Sequence, residues 1–175
     1  MAVQVVVLCG DCGLHWFDGA AAECVEPGHR EGHQRFSLHR HLDVVVLPDG
    51  TAVTAASFAA APYARDVQPD FGLYLDAQWA PPWAHEQLDW PDFGVPADAA
   101  AVVGALRSLL DRARRGETVE LGCVGGHGRT GTALACLAVL AGCPAGDAVA
   151  WVRSNYCDKA VETPEQEAFV AALVV

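Results

Sequence analysis

The sequence predicts an α/β fold, a central mixed sheet flanked by helices, and three observations carry that prediction. A β-branched run opens the chain at Val3–Leu8. Alternating segments flank a Pro48-Asp49-Gly50 turn. From Ala97 onward apolar residues recur at helical spacing instead.

The elements follow in order. Residues 9–34, rich in Gly, His and Cys, read as an irregular loop. Residues 35–47 and 51–57 read as the arms of a hairpin, because Pro-Asp-Gly supplies the turn chemistry between them. Residues 71–79 alternate weakly and read as another strand. Pro81, Pro82, Pro91 and Pro96 punctuate a long loop region, of a length that usually serves function. Ala101, Val102, Ala105, Leu106, Leu109 and Leu110 then mark one face of a helix. Arg112, Arg114 and Arg115 suit its negative end, and Gly116 stops it. Residues 118–122 form a short buried strand, a glycine-rich turn follows, and residues 130–141 make an apolar helix. Two more helices are predicted over 146–156 and 163–173. No internal repeat interrupts this order.

Composition bounds the function. The 175 residues suit one domain with a real hydrophobic core. Apolar residues make up 52% and charged residues 19%, which places the chain among globular proteins rather than disordered ones. Asp and Glu number 22 against 11 Lys and Arg, so the surface repels phosphate backbones. Nucleic acid and anionic membrane are therefore excluded as expected partners. The longest apolar stretch, 133–143, is too short to span a bilayer. No basic leader precedes the first strand, and the seven cysteines read as free thiols in a reducing cytoplasm.

The chemistry concentrates in Cys123-Val124-Gly125-Gly126-His127-Gly128-Arg129-Thr130-Gly131. A cysteine ends a strand, and an arginine six positions later opens a helix. The glycines between them let successive backbone N–H groups converge on one point. Convergent amides ahead of a helix N-terminus cradle an anion. Arg129 adds a fork of donors matched to two phosphate oxygens. The same positive surroundings favour a Cys123 thiolate.

This segment resembles the Cys-x5-Arg-Ser/Thr signature loop of the protein tyrosine phosphatase and dual-specificity phosphatase superfamily. A second match lies at Trp90-Pro91-Asp92-Phe93-Gly94-Val95-Pro96, which is similar to that family's mobile acid loop. Asp92 precedes Cys123 by 31 residues, a separation typical of the family. The resemblance runs from about residue 92 to the end of the chain. It implies one phosphatase domain over 1–175, in which residues 1–60 form a β-rich extension that carries no family motif.

The implied catalytic residues are Cys123 as nucleophile, Arg129 as phosphate clamp and Asp92 as general acid and then base. Val124, Gly125, Gly126, His127, Gly128 and Thr130 line the substrate phosphate, and Thr130 also supports the sulfur. A phosphocysteine intermediate follows from these roles. No metal or other cofactor is expected, because the cradle itself neutralises the phosphate. The expected partner is a phosphorylated protein, phosphotyrosine before phosphoserine or phosphothreonine. A phosphoinositide is the rival substrate, but family members acting on it carry lysines in the loop, and this loop has none. A phospho-binding module without turnover is the rival class. Should Asp92 not be the acid, Asp70 and Asp76 are next.

The family usually has a histidine before the nucleophile, where this chain has Gly122. His127 has two readings: it partly replaces that histidine, or it fills a solvent-facing position. Gln166 also has two. It positions the hydrolytic water, as a late glutamine does in some family members, or it completes a capping box with Thr163. Cys9, Cys12, Cys24, His29 and His33 suggest a zinc knuckle with incomplete spacing, or else a loop with buried thiols. His39 and His41 read as a polar strand face. Cys136 and Cys143 read as core residues, and either these or Cys157 offers a resolving thiol for Cys123. Residues 63–67 faintly resemble a phosphotyrosine-recognition segment but lie too near Asp92 to serve as one.

Overall fold

A computed structural model of the chain describes residues 3–8, 15–17, 34–39, 41–57, 65–77 and 79–173. It divides into two compact units, residues 1–40 and 41–175. In the first unit, β1 (Val3–Leu8) lies between β2 (His15–Phe17) and β3 (Gln34–His39) in a three-stranded sheet. Both pairings are antiparallel, with Val6 opposite Phe17 on one side and Phe36 on the other. β2 falls inside the segment read as irregular loop. The cysteine and histidine positions suggested as a zinc knuckle, Cys9, Cys12, Cys24, His29 and His33, lie outside the described residues.

The second unit holds a five-stranded mixed sheet in the order β4-β5-β8-β6-β7. β4 (Leu42–Val46) and β5 (Ala52–Ser57) form the predicted hairpin. Its turn closes through Leu47 N–H to Thr51 C=O at 2.8 Å, and Gly50 takes φ 87°, which a Cβ would disfavour. The single strand expected over 35–47 is two strands in two sheets. The break comes at His41, whose N–H donates to Ser57 Oγ and whose C=O accepts from Ser57 N–H. Those bonds commit His41 to closing the end of β5. Residues 42–57, within the segment read as an extension, thus belong to the central sheet.

β8 (Val119–Cys123) is the middle strand, parallel to β5 and to β6 (Phe71–Tyr74). All five of its residues are buried, as expected for a parallel strand covered on both faces. β7 (His85–Gln87) adds parallel to β6 within the region read as loop. Three residues between prolines are too few to show a period, so this strand left no pattern in the sequence.

The alternation of β8 splits its neighbours into two layers. Val119, Leu121 and Cys123 join the hydrophobic core with the helices. Glu120 points to the opposite face, where Arg65 grips it at 2.7 and 3.0 Å and Tyr74 Oη donates to it at 3.0 Å. This buried ion pair has both partners and a hydroxyl, so its charges are compensated.

α1 (Ala99–Arg114) buries Val102, Ala105, Leu106, Leu109 and Leu110, the stripe its sequence predicts. Asp98 caps it by accepting from Ala101 N–H at 2.9 Å. Gly116 ends it at φ 90°, with Glu117 N–H reaching back to Arg112 C=O. Arg114 ties this end to Asp49 of the hairpin turn at 2.7 Å. α2 (Gly128–Leu140) is buried along nearly its whole length, consistent with apolar residues all round. α3 (Ala148–Asn155) and α4 (Pro164–Ala171) pack against it, near the predicted positions. Among the described residues, no helix is long and apolar enough to cross a membrane.

Candidate active site

The parallel pairings of β8 with β5 and β6 bring its C-terminal end to the end of the sheet where ligands usually bind in such folds. Cys123 is the last residue of β8 and is buried. Its sulfur accepts from Gly126 N–H at 3.3 Å and from Thr130 Oγ1 at 3.0 Å. Two donors thus converge on this one sulfur.

The loop after Cys123 turns at Gly126, φ 75°. A Cβ there would lie 3.0 Å from both His41 Cδ2 and Ser57 Cβ, so conformation and space both demand glycine. α2 starts directly from this loop without a side-chain cap, and its first turn holds no acidic residue. The opening N–H groups of a helix so placed are suited to an anion. Val124, Gly126, His127, Gly128, Arg129 and Thr130 are buried and Gly125 half-buried, so the predicted cradle residues line one enclosed turn.

Arg129 reaches across to three other segments. Its Nη1 donates to Leu75 C=O at 3.0 Å, Trp90 C=O at 3.2 Å and Asp76 Oδ2 at 3.2 Å. Its Nη2 lies 3.2 Å from Asp92 Oδ1. Its Nε is buried with no hydrogen-bond partner among the described residues. A buried, unanswered N–H is costly unless a ligand takes it, and Nε with Nη2 forms one edge of the fork. Burial works against the guanidinium charge, but Cys123, Asp92 and Asp76 outweigh it and hold its pKa above the ordinary value.

The acid loop is fixed from behind. Trp90 is buried, donates from Nε1 to Gly94 C=O at 2.9 Å, and meets Phe169 of α4 edge to face at 5.7 Å. Phe93 takes φ 55°, an uncommon conformation for a bulky residue that turns the chain beside Asp92. Asp92 is thereby held on the same guanidinium that faces Cys123.

Several sequence readings change here. His127 is 1% exposed, so it is not a solvent-facing filler. Its Nδ1 lies 2.6 Å from Gly125 C=O, which braces the loop. His41 is also buried, which removes it from any polar strand face. Gly122 has a steric reason: a Cβ would come within 2.8 Å of the Ala56 carbonyl oxygen, so no histidine fits. Asp76 holds Arg129 by a buried ion pair, whereas Asp70 accepts from the hydroxyl and N–H of Thr118. That hydroxyl, and next the N–H, hold Asp70 below the usual carboxylate range and tie it to the start of β8. Cys136 is fully buried, and burial pushes its thiol up to about 12, consistent with an inert core residue. Cys143 is only half-buried.

Gln166 completes the cap of α4 and also reaches the acid loop. Its backbone N–H donates to Thr163 Oγ1 at 3.2 Å, the N-cap of α4. Its buried side chain accepts from Glu162 N–H at 2.8 Å and donates from Nε2 to Gly94 C=O of the acid loop at 3.2 Å. Glu162 was passed over in the sequence, although it begins the same short segment. Its carboxylate lies over Gly128, where a Cβ would displace it, and accepts from the Gly128 amide. Burial, then Asp92, push its pKa up to about 7, against the pull of Arg129.

Fold and site together define a cysteine-dependent phosphatase of the protein tyrosine phosphatase and dual-specificity phosphatase superfamily. Residues 83–170 match the family model PTP-SAK, described as the Swiss Army Knife protein, DSP-PTPase phosphatase domain, and the chain belongs to that family. Two uncharacterized proteins of Methanocaldococcus jannaschii are 35% and 36% identical over 111 residues. Those matches cover 56% of this chain and 66% and 71% of theirs. Among solved structures, Tk-PTP in its active form is similar with a TM-score of 0.58 and 25% identity, covering 74% of this chain and 97% of that one. Kinase associated phosphatase shares the fold at a TM-score of 0.60 and 14% identity, over 78% and 98% of the two chains. Trypanosoma brucei protein tyrosine phosphatase TbPTP1 shares it at 0.57 and 17%, over 76% and 70%.

Proposed function

We propose that this phosphatase hydrolyses phosphate monoesters through a phosphocysteine, acting on phosphoprotein, and on phosphotyrosine before phosphoserine or phosphothreonine. One observation supports the reading above the rest: the Cys123 sulfur with two donors, the unanswered Nε of Arg129 and the Asp92 carboxylate gather around one turn. The acidic surface and the absence of lysine from the loop favour a protein substrate over a phosphoinositide. The free thiols at Cys123, Cys136, Cys143 and Cys157 suit a reducing compartment, the cytoplasm. Residues 41–173 supply every group in the mechanism, within a single phosphatase domain.

Cys123 thiolate attacks phosphorus in line with the leaving oxygen. The S–P bond forms as the P–O bond breaks. Nε and Nη2 of Arg129 and the amides of the 124–129 loop, apart from that of Gly128 which Glu162 takes, hold the equatorial oxygens, and this positioning carries most of the catalysis. Protonated Asp92 gives its proton to the departing alkoxide or phenoxide. In the second half, Asp92 takes a proton from a water whose oxygen attacks phosphorus. The S–P bond breaks, phosphate leaves, and Thr130 Oγ1 hydrogen-bonds the returning thiolate. Gln166 keeps the acid loop closed through Gly94, and Asp76 keeps Arg129 extended.

The test is steady-state hydrolysis of an aryl phosphate and of tyrosine-phosphorylated peptides. Cys123→Ser is expected to abolish turnover while retaining phosphate binding. Asp92→Asn is expected to lower kcat by about 100-fold or more with little change in KM, the signature of a group acting in the transition state. Full activity in Cys123→Ser would remove the covalent mechanism. Binding without turnover in the wild type would make the protein a phospho-binding module.

A further inference from the structure

Behind the signature loop, His41, His127 and Cys157 converge from three separate places: the start of the β4 segment, the loop itself, and the turn after α3. All three are buried, at 4%, 1% and 6% exposure. Their ligating atoms all lie within 4.8 Å of one another.

The tautomers follow from the neighbours. His41 Nδ1 lies 2.6 Å from Asp43 Oδ2, and an ionised carboxylate only accepts, so Nδ1 carries the proton. His127 Nδ1 lies 2.6 Å from the Gly125 carbonyl, which also only accepts. With both Nδ1 atoms committed as donors, the two Nε2 atoms face each other 3.4 Å apart, and either one shared proton or one bound cation satisfies both. Two imidazole nitrogens about 2.0–2.1 Å from one tetrahedral ion stand about 3.3–3.4 Å apart, which matches the observed separation.

The surroundings agree with a metal centre. A carboxylate on one ligand histidine and a backbone carbonyl on the other are the outer partners that fix such rings. Tyr156 packs on His41 with ring centroids 4.5 Å apart and donates from Oη to Gly126 C=O at 2.6 Å. This encloses the cluster beside the turn that needs glycine.

We propose that His41 Nε2, His127 Nε2 and Cys157 Sγ form a binding site for a zinc-class divalent cation that braces the signature loop from behind. Two imidazoles and one thiolate suit zinc or cobalt rather than magnesium or calcium. Binding replaces the thiol proton with a sulfur–metal bond and releases that proton to solvent, so affinity falls on acidification. The cation would tie the phosphate cradle to the start of the β4 segment and to the turn after α3. This site does not use Cys123, and its existence does not depend on the catalytic mechanism.

The test is titration of the full-length, reduced, chelator-treated protein with Co²⁺, followed by sulfur-to-cobalt charge-transfer absorbance and by metal analysis after Zn²⁺ exchange. The wild type and Cys123→Ser are expected to bind alike. Cys157→Ser and His41→Ala are each expected to lose one tight equivalent. Asp43→Asn, at an exposed carboxylate, is expected to weaken that equivalent by about 10-fold while leaving the fold intact, which keeps the test decisive should His41→Ala not fold. The proposal is overturned if the wild type binds no tight equivalent, or if Cys157→Ser and Asp43→Asn bind as the wild type does. It is equally overturned if Cys123→Ser alone loses the metal. A wild type without metal whose two histidines titrate as one pair would show that they share a proton instead.

Discussion

Replacing Gly122 with alanine puts a methyl group 2.8 Å from the Ala56 carbonyl oxygen and 3.4 Å from the Ala56 carbonyl carbon and Cβ. The obstacle is backbone, not a side chain that can swing aside. Ala56 is the residue opposite Gly122 in the β5–β8 ladder, and the next pair is Ser57 with Cys123. The strands must part by several tenths of an ångström at the point where the nucleophile leaves the sheet. Overpacking of this kind costs about 1–3 kcal/mol. For a domain of this size that lowers Tm by about 3–10 °C. A small shift of Cys123 relative to Arg129 also lowers aryl phosphate kcat/KM several-fold, since positioning carries the rate. The matched control is Gly104→Ala, on the exposed face of α1 with open space around it. That change is expected to stabilise by about 0.5–1 kcal/mol, because alanine suits a helix interior. Thermal unfolding of both variants, with their kinetics, is the assay. Restoring the family's histidine by Gly122→His meets the same carbonyl and is expected to be worse than alanine. A Gly122→Ala variant that melts at or above the wild type, while Gly104→Ala behaves as expected, would refute the clash with Ala56.

Two other perturbations read the site from different sides. Glu162 has a folded pKa of about 7 against an ordinary 4.5, so the folded state binds its proton more tightly. Its contribution to stability is present below about pH 4.5 and is lost as pH rises through 7. Glu162→Gln is therefore expected to flatten the fall in stability across that window, measured by denaturant unfolding at several pH values. Parallel pH profiles for wild type and variant would refute this. Thr130→Ala removes the hydroxyl 3.0 Å from the Cys123 sulfur, a hydrogen bond to a charged group of about 1.5–3 kcal/mol. Slower breakdown of the phosphocysteine is expected, by about 10-fold or more, seen as a product burst on rapid mixing with aryl phosphate. Unchanged kinetics would remove Thr130 from the second half-reaction.

The elements that were legible in the sequence are those whose information is local. The buried stripe of α1 and the Gly116 stop act within one helix and its flanks. The signature loop is legible for the same reason: nucleophile, glycines and arginine share nine residues. The break in the long strand at His41 was not legible, because Ser57 causes it from 16 residues away. β7 was hidden by its three-residue length. The cap that Gln166 makes with Thr163 is local and legible, whereas the bond from its side chain to Gly94, 72 residues away, is not.

His127 shows why a site's chemistry is harder to read than its motif. Both sequence readings treated it by its place in the loop, as a substitute for the missing histidine or as filler. What decides its role is His41, 86 residues earlier, whose ring meets it edge on at 4.8 Å between centroids. Gly126 must be glycine because that same histidine, with Ser57 and Tyr156, crowds the turn. Gly122 must be glycine because β5 approaches it from the other side. The loop's glycines thus answer two demands at once. Facing the phosphate, they free backbone amides, a demand written in the motif. Facing away, they admit His41, Ser57 and Ala56, whose positions only the folded sheet supplies. A substitution in this loop that respects the first demand and ignores the second is therefore expected to fail by displacing Cys123, even with every catalytic group still in place.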